Sequence, residues 1–249
     1  MTETAGSRFW LQFLKVFLTV LVLVTTGSSA IATAQPAPAR TRPTYFDQVG
    51  PMFVDVDGAP NAYGPPGKPA LDFEKNAHHG AKLSGRIVGY LTESDHRTPV
   101  LQGPGDPKPG YYVSTTDFRD DSIGPTGMKI DDRNPRKYVD ATKIRYVVLG
   151  TFGQHHHVKL GDLAVVHSLR THRTVYAIVG DSGNPSGDEG SLALLQALGY
   201  PFKDGKDDAV EEREIVIRYF PGSNPSHRFF KTQAEIDQAA EALDLDRKF

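Results

Sequence analysis

The chain has 249 residues, no cysteine and an almost balanced charge, with 28 Lys and Arg against 30 Asp and Glu and a formal net charge of −2. The absence of cysteine excludes disulfides, thiolate metal sites and cysteine nucleophiles. The near-neutral charge lacks the basic footprint of a nucleic-acid-binding protein, so no nucleic-acid partner is expected.

The first 34 residues have the pattern of a signal peptide. Arg8 and Lys15 precede an apolar run at 16–24, and Ala32-Thr33-Ala34 is a small-x-small cleavage pattern. The apolar run is short for a membrane span, although an uncleaved anchor is the alternative. We expect cleavage near Ala34, a secreted or periplasmic protein, and no stable membrane association of the mature chain.

The rest of the chain predicts a Pro/Ala/Arg-rich spacer at 35–44 and one domain at 45–249. Helices are predicted at 191–198 and 232–243. Many short strands with few helices predict a mainly β fold (a β-rich α+β), a single compact barrel or sandwich with long loops. β-branched and aromatic runs predict strands at 86–91, 111–115, 145–149, 162–168, 175–179 and 214–220, and the alternation of apolar and acidic residues at 53–58 predicts a short strand that ends in a turn.

Two segments invite a metal hypothesis, and both are better explained without a metal. Asp55-Val56-Asp57-Gly58 resembles the start of a calcium loop, but Pro66 stands at its twelfth position, so we interpret it as a strand and turn with both acids on one face. Three consecutive histidines, 155–157, would alternate faces in a strand, and no ligand spacing accompanies them. No metal or other cofactor is expected.

The segment 175–199 is the most informative part of the chain, because a strand, an acidic loop and a helix follow one another. The loop holds Asp181, Asp188 and Glu189. Hydrolysis of a glycosidic bond requires two carboxyl groups in different environments, held by rigid elements. The alternative is that Ser186 and Glu189 form the S-x-x-E capping box of the following helix.

Three fragments resemble the glycoside hydrolase family 75 chitosanases: Lys137-Tyr-Val-Asp-Ala to Val148, Gly161-Asp-Leu-Ala-Val-Val166, and Val175-Tyr-Ala-Ile-Val-Gly-Asp181 followed by Glu189-Gly-Ser191. This resemblance covers roughly 138–222. It implies a metal-free, monomeric, inverting endo-hydrolase of β-1,4-linked glucosamine polymers, with Asp181 and Glu189 as its essential carboxylates. The strand, loop and helix also resemble the half-motif of double-psi β-barrels.

The roles within the pair stay open. A Glu at a helix N-terminus has a lowered pKa, which favours Glu189 as base and a partly buried Asp181 as acid. The neighbouring Asp188 opposes ionisation of Glu189 and could reverse the roles; we also count Asp188 among the substrate-binding candidates.

Three further residues are candidate substrate contacts. Tyr138 could stack on a sugar, Asp140 could pair with a glucosamine ammonium group, and Asp162 could be a third acid in the cleft. A core tyrosine and two turn aspartates explain the same residues without substrate.

Two other functions remain open from the sequence. One is a non-catalytic carbohydrate-binding or cell-envelope module on the same barrel. The other is a lytic enzyme that acts on peptidoglycan.

Overall fold

The computed structural model describes residues 43–78, 82–83, 86–87 and 89–249. The predicted signal peptide, its cleavage site and the spacer as far as residue 42 lie outside the described residues. Within the described ranges, no helix is long and apolar enough to cross a membrane.

Within the described ranges, the regular structure consists of eight strands and three short helices. A 3₁₀ turn covers Pro135–Lys137. The helices are α1 (Thr151–His155), α2 (Leu192–Ala197) and α3 (Gln233–Ala242). The strands are β1 (Phe46–Asp55), β2 (Lys82–Leu83), β3 (Arg86–Ile87), β4 (Tyr146–Leu149), β5 (Leu163–Ser168), β6 (Thr174–Ser182), β7 (Glu189–Ser191) and β8 (Ala209–Phe220).

Six of these strands close a barrel in the order β1-β7-β4-β6-β5-β8, with β8 pairing back onto β1. The pairs β1–β7 and β4–β6 are parallel, and the other pairs are antiparallel. The predicted mainly β barrel is therefore confirmed, while the likeness to double-psi barrels stays a prediction. Closure leaves the barrel without an unpaired edge.

The core fills the barrel and extends beneath α2 and α3. Tyr219, Ile178 and Leu194 are fully buried, and every residue of β4 is buried. The α2 helix begins after Ser191, whose hydroxyl accepts a 3.1 Å hydrogen bond from the Leu194 N–H. This cap fixes the path of the chain between β7 and the core.

The predicted strand at 111–115 is wrong. These residues form only single bridges, Tyr112 with Leu101 and Ser114 with Tyr90, because this part of the chain consists of turns. The strand ending in a turn that is predicted at 53–58 is present, since β1 ends at Asp55 and Asp57 lies in the following turn. The three histidines lie at the end of α1 and in the turn after it, and His156 stacks on Phe46 with ring centroids 4.2 Å apart.

A long segment of turns between β3 and β4 packs against the end of β6. The Phe118 N–H donates to the Gly180 carbonyl at 3.2 Å, and the Asp117 N–H donates to the Asp181 carboxylate at 2.9 Å. The barrel wall at β6 is thereby joined to loops that are distant in sequence.

Candidate functional site

A cleft of about 1140 Å³ opens on the barrel wall formed by β1, β7, β4 and β6. Its lining has an unusual charge, because the part of it that the structure describes contains eight acidic side chains and one lysine, Lys206. The acidic residues are Asp55, Asp57, Asp72, Asp181, Glu189, Asp207, Asp208 and Glu211. Both acids predicted to form the catalytic pair thus lie in the same cleft.

Glu189 is the first residue of β7, not part of a helix cap. The proposed capping box of Ser186 and Glu189 is wrong, because Ser191 caps α2 two residues further on. The expected lowering of the Glu189 pKa is also wrong. Burial and the charge of Asp55 raise the pKa of Glu189 to about 8, against a smaller lowering from its hydrogen bond with Asn184.

Asp181 lies near the end of β6 and is only 7% exposed. One of its carboxylate oxygens, Oδ1, accepts hydrogen bonds from the N–H groups of Asp117 at 2.9 Å and Ser182 at 2.7 Å. Burial, followed by the charges of Asp55 and Asp57, raises the pKa of Asp181 well above its ordinary value. The carboxyl group is therefore fixed in orientation and holds a proton easily.

Sequence reasoning missed the importance of Asp55 and Asp57. The Asp57 N–H donates to Asp55 Oδ1 at 2.8 Å, and the Tyr63 hydroxyl donates to Asp57 Oδ1 at 2.7 Å. Burial raises the pKa of both acids, and the charge of Asp55 raises that of Asp57 further. The available signal was the alternation of acidic and apolar residues at the end of a strand, which placed both acids on one face but gave them no role.

Tyr146 lies beneath this pair. Its hydroxyl is 3.0 Å from the Asp57 carbonyl oxygen and also hydrogen-bonds the Asp55 carboxylate. A hydroxyl has one hydrogen, so it serves one of these acceptors at a time, and the ionised carboxylate is the stronger acceptor.

Asp72 also lines the cleft, in the turns that follow β1. Its Oδ1 accepts hydrogen bonds from the Phe73 N–H at 2.6 Å and from Asn76 Nδ2 at 2.7 Å. Burial nevertheless raises the pKa of Asp72 to about 6. The cleft therefore carries acids that change charge on either side of neutral pH.

Three predicted substrate contacts do not line the cleft. Tyr138 is buried, and its hydroxyl donates to the Asp132 carbonyl at 2.9 Å. Asp140 accepts from the Thr142 N–H at 3.0 Å, and Asp162 accepts from the Lys159 N–H at 2.8 Å. These are the contacts of a core tyrosine and of two turn aspartates.

Asp188 also lies outside the cleft lining, although it precedes Glu189. Its Oδ1 accepts from Asn184 Nδ2 at 2.8 Å, and its carbonyl accepts from the Phe53 N–H at 2.8 Å. The charge of Asp188 contributes to the raised pKa of Glu189. Asp188 therefore stabilises the loop and disfavours ionisation of Glu189.

Taken together, the cleft brings several carboxyl groups close enough to control one another's ionisation. Raised carboxyl pKa values in a cleft are typical of general acid catalysis, since the acid must hold its proton at working pH. The described residues contain no group of three or more His, Cys, Asp or Glu arranged to hold a metal ion.

The sequence matches no protein-family model, and no curated protein matches it either.

Proposed function

We propose that this protein is a glycoside hydrolase that cleaves β-1,4 bonds within glucosamine polymers such as chitosan. The observation that supports this most is Glu189, a carboxylic acid that keeps its proton to a pH of about 8 in an open cleft shared with further carboxylates. Such a group can protonate the leaving oxygen of a glycosidic bond at neutral pH.

The charge of the cleft supports a cationic substrate. Asp207, Asp208 and Glu211 line it beside the buried acids, and Lys206 is the single lysine among the described residues of the lining. Carboxylates along a groove raise the local concentration of a polycation and pair with its ammonium groups. A neutral polymer such as chitin would gain nothing from this field.

The chemistry needs two carboxyl groups with different tasks. Glu189 donates its proton to the departing sugar oxygen, and an ionised carboxylate takes a proton from the attacking water on the opposite face of the ring. The resemblance to the family 75 chitosanases implies that Asp181 is the other essential carboxylate. Asp181 lies two strands away from Glu189, with β4 between them.

The direct test is release of reducing ends from soluble chitosan, with chitin as the uncharged comparison. Wild type should release oligosaccharides from chitosan, and Glu189→Gln should lower the rate by about 10²–10⁴-fold. Rates are compared at saturating chitosan, and Glu211→Gln is the matched control: it makes the same chemical change on an exposed residue of the same cleft, so it should weaken substrate binding without lowering kcat.

Three outcomes are informative. Loss of activity in Glu189→Gln but not in Glu211→Gln supports the proposal. Binding of chitosan without release of reducing ends would instead favour a non-catalytic carbohydrate-binding module. Cleavage of peptidoglycan but not of chitosan would favour the lytic enzyme, and either of these results contradicts the proposal.

A further inference from the structure

Asp55 is the carboxylate placed most directly beside Glu189. The strands β1 and β7 are parallel neighbours in which Phe53 pairs with Glu189 and Asp55 pairs with Ser191. Directly paired residues and residues two apart in a strand share a face, so Asp55 and Glu189 point to the same side. Standard strand spacings put their Cα atoms ~8 Å apart.

Asp181 has a different relationship to Glu189. Val147 pairs with Gly190 and Val148 pairs with Asp181, so the whole of β4 separates the two acids. Two strand spacings amount to roughly 10 Å between Cα atoms. Both acids line the cleft, but Asp181 is buried at 7% exposure, whereas Asp55 is half-buried.

The hydrogen bonds of Asp55 favour its ionised form. It accepts from the N–H of Asp57 at 2.8 Å, from the N–H of Val56 and from the Tyr146 hydroxyl. Donors aimed at a carboxylate stabilise its charge against the cost of burial. The charge of Asp55 in turn raises the pKa of Glu189, of Asp181 and of Asp57. Burial raises the pKa of Asp55, and these three hydrogen bonds lower it again in part, so they offset some of the cost of its charge in the cleft.

The other charged groups around Glu189 do not replace Asp55 in this position. Asp188 lies on the loop before Glu189 but outside the cleft lining, and Asp72 lines the cleft from the turns that follow β1, not from a strand paired with β7. Asp57 has the Tyr63 hydroxyl as its donor and a pKa raised well above its ordinary value. The cation of the lining, Lys206, is followed by the acids Asp207 and Asp208.

We propose that Asp55, rather than Asp181, is the general base that activates the hydrolytic water, with Glu189 as the general acid. This inference rests on the proposed glycoside hydrolase function. The water oxygen bonds to the anomeric carbon while Asp55 takes one of its protons. The bond from that carbon to the bridging oxygen breaks, and the bridging oxygen takes the proton of Glu189. The products are two shorter chains, and the new reducing end has the inverted configuration.

Asp181 then acts as a positioning residue. Its Oδ1 holds the N–H groups of Asp117 and Ser182, which joins the long segment before β4 to the wall of the cleft. Its replacement would lower the rate through the shape of the cleft. A small anion could not restore what is lost, because no proton acceptor is missing.

Chemical rescue distinguishes the two assignments. Asp55→Ala and Asp181→Ala are assayed on a glucosamine oligomer with and without sodium azide, and products are identified by NMR. We expect each variant to be slower, Asp55→Ala by about 10²–10⁴-fold. In Asp55→Ala alone, azide should restore the rate about tenfold or more and give an α-glycosyl azide, because azide attacks without needing a base.

Asp55→Asn is a second variant that should keep the fold, because its amide oxygen can still accept the hydrogen bond from the Asp57 N–H. Circular dichroism checks that all variants are folded. Rescue of an Asp55 variant together with no rescue of Asp181→Ala supports the inference. Rescue of Asp181→Ala overturns the inference, and so does a lack of rescue in the variants of both residues. Either result leaves the wild type an active hydrolase. Failure of the wild type to cleave the oligomer contradicts the proposed function itself, and the inference with it.

Discussion

The backbone N–H of Asp117 donates a 2.9 Å hydrogen bond to the carboxylate of Asp181, a residue 64 positions further along the chain. The same Asp181 carboxylate accepts from its neighbour Ser182 at 2.7 Å. A buried acid with two amide donors has a fixed orientation, and it fixes its donors equally. These hydrogen bonds thus join two parts of the chain that are distant in sequence at the wall of the cleft.

The pH dependence of hydrolysis should have an alkaline limb near the pKa of Glu189, which burial and the charge of Asp55 raise to about 8. The general acid works only while protonated, so kcat/KM on a soluble glucosamine oligomer should fall as pH rises through about 8. An alkaline limb that falls close to pH 4.5, the ordinary value for Glu, would contradict a protonated Glu189.

The free energy of unfolding should fall as the pH rises from 4.5 to about 8. The unfolded chain loses the Glu189 proton near 4.5 and the folded protein near 8, so the folded state binds more protons in between and loses relative stability as pH rises. Glu189→Gln has no carboxyl proton at this position, so it lacks this loss of stability. From pH 4.5 to 8, its free energy of unfolding should rise relative to wild type by about 1–3 kcal/mol, measured with urea. Glu211→Gln should show no such trend.

Two buried tyrosines form a matched pair for testing the hydrogen bonds under the cleft. The Tyr146 hydroxyl contacts the Asp57 carbonyl and the Asp55 carboxylate, whereas the buried Tyr219 hydroxyl has no hydrogen-bond partner within the described ranges. Tyr146→Phe should cost about 1–2 kcal/mol of unfolding free energy. Tyr219→Phe should be neutral or stabilising by up to about 1 kcal/mol. Equal losses in the two variants would contradict this explanation.

The sequence was sufficient to predict four of the six barrel strands, β4, β5, β6 and β8, and to predict that Asp181 and Glu189 lie close together. Runs such as Val175 to Val179 carry their own signal, because β-branched residues on a buried strand leave few alternatives. Asp181 and Glu189 follow one another within a short loop, so local reasoning could place them together.

What the sequence did not predict depends on long-range pairing. Asp55 lies near Glu189 only because β1 pairs with β7. This parallel pairing joins residues more than a hundred positions apart, and no local pattern encodes it. The capping-box prediction failed for the same reason. A three-residue strand pairs Glu189 with Phe53, and this tertiary contact moves the start of the helix to the residue after Ser191.

Gly150 should be intolerant of any side chain. A Cβ there would lie 2.4 Å from the backbone nitrogen of Gly187, in the loop that leads to Glu189. We expect Gly150→Ala to cost about 1–3 kcal/mol of unfolding free energy and to lower activity, because the backbone of this loop must move. Gly50→Ala is the control, since its Cβ would meet nothing within 4 Å. An unchanged unfolding curve for Gly150→Ala would contradict the close contact.

Arg218 should stabilise the barrel without any part in the cleft chemistry. On β8, its Nε and Nη2 each donate a 2.8 Å hydrogen bond to the Asp47 carboxylate on β1, and its guanidinium stacks 4.0 Å from the Tyr45 ring centroid and 4.3 Å from that of Phe249. Lysine cannot make the forked contact or stack flat between two rings.

Arg218→Lys should therefore lower the free energy of unfolding by about 2–4 kcal/mol, since the side chain is only 5% exposed. Arg213→Lys, on the exposed part of the same strand, should change it by less than about 0.5 kcal/mol. Because Arg218 does not line the cleft, the activity of each folded molecule should be unchanged at low temperature. A loss of kcat in fully folded Arg218→Lys would contradict this prediction, because it would show that the contacts of Arg218 help to shape the cleft.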